Sequence, residues 1–233
     1  TIIFKSMQHI RSTQAKAQKN PTGGHYDYGR QGTSTTYILQ KILTKLEECY
    51  HVFTTPTGFG SVFLAIFSVV RPGDEIIVPA VSWSTTYYPL SQYGLVQKFV
   101  DIDLYTLNYD LSALEDAITD QTRAIMIVNL LGNPNDFEKI KELIGTRNIL
   151  LLEDNCESMG AKYQSKYTGT FGIMGTFSSF FSHHISTMEG GIVVTDDEEL
   201  YHILLSLRAH GWTRNLPKKN YVSNKSDDWF EES

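Results

Sequence analysis

The chain has 233 residues, with 20 Lys and Arg against 26 Asp and Glu and a formal net charge of -6. A chain of this length can bury a substantial core without disulfides or a structural metal. Cys49 and Cys156 form no disulfide framework. We therefore expect both thiols to be unreactive and the protein to be cytoplasmic. The acidic balance excludes a general nucleic-acid-binding surface. No apolar run reaches the roughly 20 residues that span a bilayer, and the first residues carry no signal-peptide pattern.

Hydrophobic periodicity predicts alternating helices and strands after a polar N-terminal stretch. A first helix is predicted over 38–46, with Ser34, Thr35 or Thr36 as its cap. Further helices are predicted over 62–70, 111–118, 137–144 and 197–207, and strands over 75–78, 96–100, 124–128, 149–152, 175–181 and 191–195. Because most strands are short continuous apolar runs, they predict an α/β fold with a mostly parallel sheet covered on both faces.

Four features fall beyond the carboxyl ends of the strands, where ligands of such sheets bind, and the first two offer backbone amides and a carboxylate. The turn 57–61 (TGFGS), which contains Gly58, Phe59 and Gly60, leads into a helix. Its free amides and the helix dipole would suit a phosphate, although a simple tight turn is an equal reading. Asp154 follows the strand 149–152 and would hold a protonated ring nitrogen or, alternatively, be a solvated strand-end acid.

Two further features involve aromatic rings. Trp83 lies in a loop after a strand, where it would either stack on a flat cofactor or pack in the core. His183 and His184 follow an aromatic strand and precede Gly190-Gly191. Adjacent histidines point apart and no HxxxH or HExxH pattern is present, so no metal site is predicted. An imidazole at this edge is better suited to act as a general base.

Together these features resemble the pyridoxal-phosphate (PLP) enzymes of the aspartate-aminotransferase fold. From about residue 71 to 233 the chain is similar to the sugar-aminotransferase family of nucleotide-sugar biosynthesis, as seen in PGDEIIVPAVSWSTT, KFVDID, AIMIVNLLGNPNDF, LLLEDNCESMGA, GTFGIMGTFSSFFSHH, MEGG and RAHGWTRNLPK. The resemblance implies a three-layer PLP-binding large domain over 28–215. It also implies an N-terminal arm over 1–27, and a polar tail over 216–233 at the start of a small C-terminal domain that we expect to be missing.

The resemblance assigns a role to each candidate residue. Asp154 would bind the pyridine nitrogen, Trp83 would stack on the ring, and Glu157 would face the ring hydroxyl. Ser178 would bind the cofactor phosphate together with backbone amides around Phe59 and Gly60. His183 stands where the family has its Schiff-base lysine, and this replacement is typical of the 3-dehydratase branch.

That branch removes the 3-hydroxyl of a 4-keto-6-deoxy nucleotide sugar in 3,6-dideoxysugar biosynthesis for lipopolysaccharide O-antigen. The resemblance therefore implies a nucleotide-sugar substrate, glutamate as amino donor, and a cofactor that alternates between pyridoxal and pyridoxamine phosphate. His183, which is not a primary amine, would move a proton. The family also implies a homodimer.

A second resemblance covers about residues 25–72, where HYDYGRQGTSTTYILQKILTKLEE and FTTPTGFGSVFLAI are similar to the cystathionine β-lyase group. It implies that Tyr28 and Arg30 reach the cofactor phosphate of a neighbouring subunit. One alternative function is therefore a β-lyase, although that reaction needs a lysine and FSHHISTM contains none. Another alternative is a non-catalytic fragment that retains only the fold.

Overall fold

The structure, a computed structural model, describes residues 33–213, 216–217 and 219–223. Its helices are α1 (Ser34–Leu46), α2 (Gly58–Phe67), α3 (Ser84–Tyr93), α4 (Leu111–Ala117), α5 (Phe137–Ile144) and α6 (Glu198–Arg208), with a 3-10 turn at Leu130–Gly132. Its strands are β1 (His51–Thr55), β2 (Glu75–Pro79), β3 (Val96–Val100), β4 (Thr122–Val128), β5 (Leu150–Asp154), β6 (Lys162–Tyr163), β7 (Lys166–Tyr167), β8 (Met174–Ser178) and β9 (Gly191–Thr195). The predicted arm over 1–27 lies outside the described residues.

Seven strands form one sheet in the order β1-β9-β8-β5-β4-β2-β3. The pairs from β8 to β3 are all parallel, whereas β9 runs antiparallel to both β8 and β1. Successive strand residues face opposite layers, since Ile76 and Val78 join one buried cluster and Ile77 joins the other. Helices α2, α3 and α6 cover the first face and α4 and α5 the second. The predicted mostly parallel α/β sheet is confirmed.

Two of the longer elements were not predicted, and both depend on tertiary contacts. Within the described residues, strand β1 is an edge strand whose one partner is β9. Helix α3 has a largely polar sequence with Pro89 inside it, yet it buries Thr86, Pro89 and Leu90. The two-stranded hairpin of β6 and β7 was also missed. No described helix is both long and apolar enough to cross a membrane.

Two predicted boundaries were wrong because of helix caps. The cap of α1 is Thr33, whose hydroxyl accepts the Thr36 amide at 3.2 Å, rather than Ser34, Thr35 or Thr36. Helix α2 begins at Gly58 instead of residue 62, because Thr57 caps it by accepting the Gly60 amide at 2.9 Å. The glycine turn is therefore the first turn of the helix itself.

We expect Gly191→Ala to destabilise the fold by about 3 kcal/mol, because overpacking against backbone cannot be relieved by a rotamer change. A Cβ on Gly191 would collide with the Thr57 carbonyl oxygen and the Thr55 hydroxyl. Urea unfolding measures the change. Gly60→Ala is the control, because its Cβ would meet the Thr57 hydroxyl at 3.2 Å and Thr55 at an ordinary contact distance of 3.7 Å, and it should change stability by less than about 1 kcal/mol. Equal losses in both variants would contradict this account.

Glu47, at the C-terminal end of α1, is a buried carboxyl. Neither of its oxygens hydrogen-bonds to any residue that the structure describes. Burial disfavours the ionised form and raises the pKa of Glu47 from 4.5 to about 7. A folded-state pKa above the unfolded value means that the folded chain binds more protons between these two values. The group therefore costs stability progressively as the pH rises from about 4.5 through 7.

Glu47→Gln should accordingly stabilise the protein more at pH 8 than at pH 5. We expect the difference between these pH values to be about 1–2 kcal/mol after allowance for solvent screening. Urea unfolding of the parent and variant at both pH values provides the measurement. The exposed neighbour Glu48 supplies the control Glu48→Gln, for which we expect no comparable pH dependence. A stability difference for Glu47→Gln that is the same at both pH values would contradict the prediction.

Candidate functional site

The first part of the candidate site is the N-terminus of α2. Gly58 and Phe59 are its first two residues, and amides at these positions have no acceptor within a helix. The Gly60 amide, by contrast, is taken up by the Thr57 hydroxyl. Two free amides at the positive end of a helix suit a phosphate group. Of the predicted phosphate donors, Gly58 and Phe59 are available and the Gly60 amide is not.

Ser178, the last residue of β8, lies directly against this helix start. A Cβ on Gly58 would be 2.7 Å from the Ser178 Cβ, so only glycine permits the approach. The Ser178 hydroxyl accepts the Phe180 amide at 3.2 Å. Because a hydroxyl also carries one proton, Ser178 keeps a donor for an anion at this place. The predicted pairing of Ser178 with the glycine turn is thus present in the structure.

Asp154 ends β5, the strand next to β8, and is only 5% exposed. The alternative of a solvated strand-end acid is therefore wrong. One carboxylate oxygen accepts the Thr86 hydroxyl at 2.8 Å and the other accepts the Cys156 amide at 3.1 Å. A buried carboxylate held by two donors at a strand end is suited to pair with a cationic ring nitrogen.

Trp83 lies three residues before Thr86, the hydrogen-bond partner of Asp154, and Glu157 lies three residues after Asp154 itself. Trp83 precedes α3 and is 70% exposed, so the alternative that it belongs to the core is wrong. Its indole is free to cover a flat ligand. Glu157 is half-buried, and one of its oxygens accepts the Leu131 amide of the 3-10 turn at 3.0 Å. Its second oxygen remains for another donor.

His183 lies in the loop 179–190 between β8 and β9. The base of this loop is tied by the Ser179 amide, which donates to the Gly190 carbonyl at 2.9 Å, and by the Ser179 and Thr187 hydroxyls at 2.7 Å. The His183 amide donates to Phe180 at 3.0 Å. Its half-buried imidazole hydrogen-bonds to none of the described residues, whereas His184 is exposed. His183 is thus available for proton transfer.

Several residues that build the site were missed at the sequence level. Thr57 caps the phosphate-facing helix, Thr86 bonds Asp154, and Gly190 and Gly191 allow the loop base to approach its neighbours. The Thr-x-x-Gly spacing and the Gly-Gly pair were visible signals for three of them. Thr86 carried no signal, because its partner lies 68 residues away. Tyr28 and Arg30 lie outside the described residues.

The donor set fits a phosphorylated cationic ring such as PLP. One end offers two helix amides and a hydroxyl, and the neighbouring strand offers a buried carboxylate. Lys162 and Lys166, the lysines nearest before β8, are exposed on the small hairpin, with their ammonium groups over Tyr167 at 3.9 Å and Phe171 at 4.9 Å. Within the described ranges, no group of three or more His, Cys, Asp or Glu could hold a metal ion.

Comparisons with known proteins agree with this fold and with a PLP cofactor. The sequence profile of the DegT/DnrJ/EryC1/StrS aminotransferase family matches residues 34–226. Because the match begins at residue 34, it includes most of the segment thought to resemble cystathionine β-lyases, and that resemblance is not supported. GDP-4-keto-6-deoxy-D-mannose 3-dehydratase of Escherichia coli O55:H7 (strain CB9615 / EPEC) is 70% identical over 174 residues, which are 72% of this chain and 45% of that protein.

Two solved structures are also similar. A GDP-4-keto-6-deoxymannose-3-dehydratase with a trapped PLP-glutamate geminal diamine has a TM-score of 0.78 and 60% identity, over 83% of this chain and 52% of that chain. A variant of such an enzyme, ColD, with a serine replaced by asparagine and the histidine after it by lysine, has a TM-score of 0.80 and 51% identity, over 99% and 61% of the two chains. This chain spans about half the length of the relatives it matches.

The two thiols provide a test of the site's electrostatics. Burial raises the pKa of Cys49 to about 12. The pKa of Cys156 is raised by burial and by the neighbouring carboxylate of Asp154. Since the thiolate is the reactive form, we expect Ellman's reagent to modify native Cys156 at pH 8 at least about 100-fold more slowly than the urea-unfolded chain. Fast labelling of Cys156 in the native state, located by peptide mass analysis, would contradict the described environment.

Proposed function

The chain belongs to the DegT/DnrJ/EryC1/StrS aminotransferase family, and we propose that it carries the cofactor site of a PLP-dependent 3-dehydratase acting on GDP-4-keto-6-deoxymannose. The observation that carries this proposal is His183 in the loop after β8, on a site whose amides, hydroxyl and buried carboxylate suit a phosphorylated cationic ring. The dehydratase relatives and their cofactor adducts support it.

The start of α2, the ends of β5 and β8, and two neighbouring loop residues would hold the cofactor. The amides of Gly58 and Phe59 and the Ser178 hydroxyl would donate to its phosphate, and Asp154 would pair with its ring nitrogen. When bound, PLP or pyridoxamine phosphate supplies an electron sink for bond breaking next to the sugar's keto carbon. Trp83 would cover the ring, and the free oxygen of Glu157 would face the ring hydroxyl.

His183 would hold and move the proton. Imidazole is not a primary amine, so it cannot form the covalent link that a lysine would make, but it exchanges protons near neutral pH. The chain's single Ser-His dipeptide is Ser182-His183, and the ColD variant replaces a serine and the histidine that follows it. This correspondence supports His183, rather than His184, as the residue that acts on the substrate.

The relatives support three further parts of the proposal: glutamate as amino donor, a GDP-sugar substrate, and a role in 3,6-dideoxysugar and O-antigen synthesis. A cytoplasmic homodimer and the division into 1–27, 28–215 and 216–233 are inferred from the sequence and its family resemblance. A β-lyase is not favoured, because Lys162 and Lys166 lie on the exposed hairpin and not in the loop after β8.

The test is an absorbance titration of the purified chain with PLP, followed by glutamate. We expect a bound-cofactor band that glutamate converts to the pyridoxamine form. Borohydride should link no cofactor to the parent chain but should add its mass to His183→Lys. A chain that binds no cofactor would overturn the proposal and favour the non-catalytic alternative.

A second measurement separates the two histidines. His183→Asn should retain cofactor binding but lose about 100-fold or more of the turnover of GDP-4-keto-6-deoxymannose, since general acid–base catalysis contributes 10²–10⁴-fold. The matched control, His184→Asn, should keep turnover within about threefold. Loss in His184→Asn with full activity in His183→Asn would show that the assignment is wrong.

A further inference from the structure

A chain of hydroxyl groups leads to the Asp154 carboxylate. The Thr86 hydroxyl lies 2.8 Å from one carboxylate oxygen and 2.8 Å from the Ser82 hydroxyl. Thr86 is 1% exposed and sits in the first turn of α3. Since water has almost no access to Thr86, this hydrogen bond is not readily replaced by solvent.

The direction of this chain follows from counting protons. An ionised carboxylate only accepts hydrogen bonds, so the Thr86 hydroxyl must donate its single proton to Asp154. Thr86 can then only accept from Ser82, which donates to it. Each donor polarises the next, which strengthens the bond to the charged oxygen.

The two donors also fix the rotation of the carboxylate. One Asp154 oxygen accepts the amide of Cys156, which follows β5 directly in the chain. The other accepts the hydroxyl of Thr86, which belongs to α3. With only one of these bonds, the group would rotate about its Cβ–Cγ bond. With both, the plane of the carboxylate is set, and one lone pair on each oxygen remains for a ring nitrogen.

We propose that Thr86 is a positioning residue that orients the Asp154 carboxylate towards the cofactor's ring nitrogen and couples it to the loop that carries Trp83. The coupling arises because Ser82 and Thr86 bracket Trp83 in the same turn. The proposal rests on the proposed function, since it needs a pyridine cofactor at this site.

The test compares two probes on the full chain, pyridoxamine phosphate and its 1-deaza analogue, in which carbon replaces the ring nitrogen. Thr86→Val keeps the shape of the side chain but removes the donor. We expect it to weaken binding of pyridoxamine phosphate about tenfold, because hydrogen bonds to charged groups are strong. It should change binding of the deaza analogue less than twofold. Thr86→Ser should restore affinity to within about threefold of the parent.

Two further variants distinguish a positioning role of Thr86 from a purely structural one. Thr85→Val, at the half-buried neighbouring position, should leave both dissociation constants unchanged. Ser82→Ala should weaken pyridoxamine phosphate binding about twofold to threefold, and it provides a milder variant if Thr86→Val fails to fold. Equal losses for both probes would indicate a structural role only and overturn the inference. Failure of the parent to bind either probe would instead reject the proposed function, and this inference with it.

Discussion

Gly191 is the residue on which the geometry of the site depends. It begins β9, where it is paired with Thr55 at the end of β1 on one side and with Ser178 at the end of β8 on the other. A side chain at this point would collide with the Thr57 carbonyl, so only glycine lets the three strand ends approach. This approach places the Ser178 hydroxyl beside the first amides of α2, and the anion-binding donors follow from it.

Strand β5, which pairs with β8, carries two carboxylates that face opposite sides of the sheet. Glu153 and Asp154 are consecutive in β5 and therefore face opposite sides of the sheet. Glu153 accepts the amides of Phe171 and Gly172, both at 2.7 Å, and that of Gly169, which fixes the turn that leads into β8. Asp154 faces the site. Glu153 thus fixes the turn through which the chain enters β8, and Asp154 lies on the opposite face, beside the strand that carries Ser178.

The sequence allowed prediction of elements whose signal is local. Continuous apolar runs identified the parallel strands, and helical periodicity located α5 with both of its ends correct. Strand β1 and helix α3 were not predicted, because each is stabilised by contacts with residues distant in sequence and neither has a clear hydrophobic periodicity of its own. The same distinction holds in the site. Asp154 was singled out because it follows a predicted strand. Ser178 was assigned only by the family resemblance, since the predicted strand 175–181 ran past it, and Thr86 acts only through a bond that the fold creates.

The groups of the proposed site divide between the sheet with its adjoining helix and one loop. The groups that would hold the cofactor lie on strand ends and a helix start, where backbone pairing fixes them. His183 lies on the loop 179–190, whose hydrogen bonds tie mainly its base. Position 183 lies outside the paired residues of β8 and β9, so a change of residue there removes none of their backbone pairing. Under the proposed function, the proton-moving group could therefore be exchanged while the surrounding site keeps its geometry.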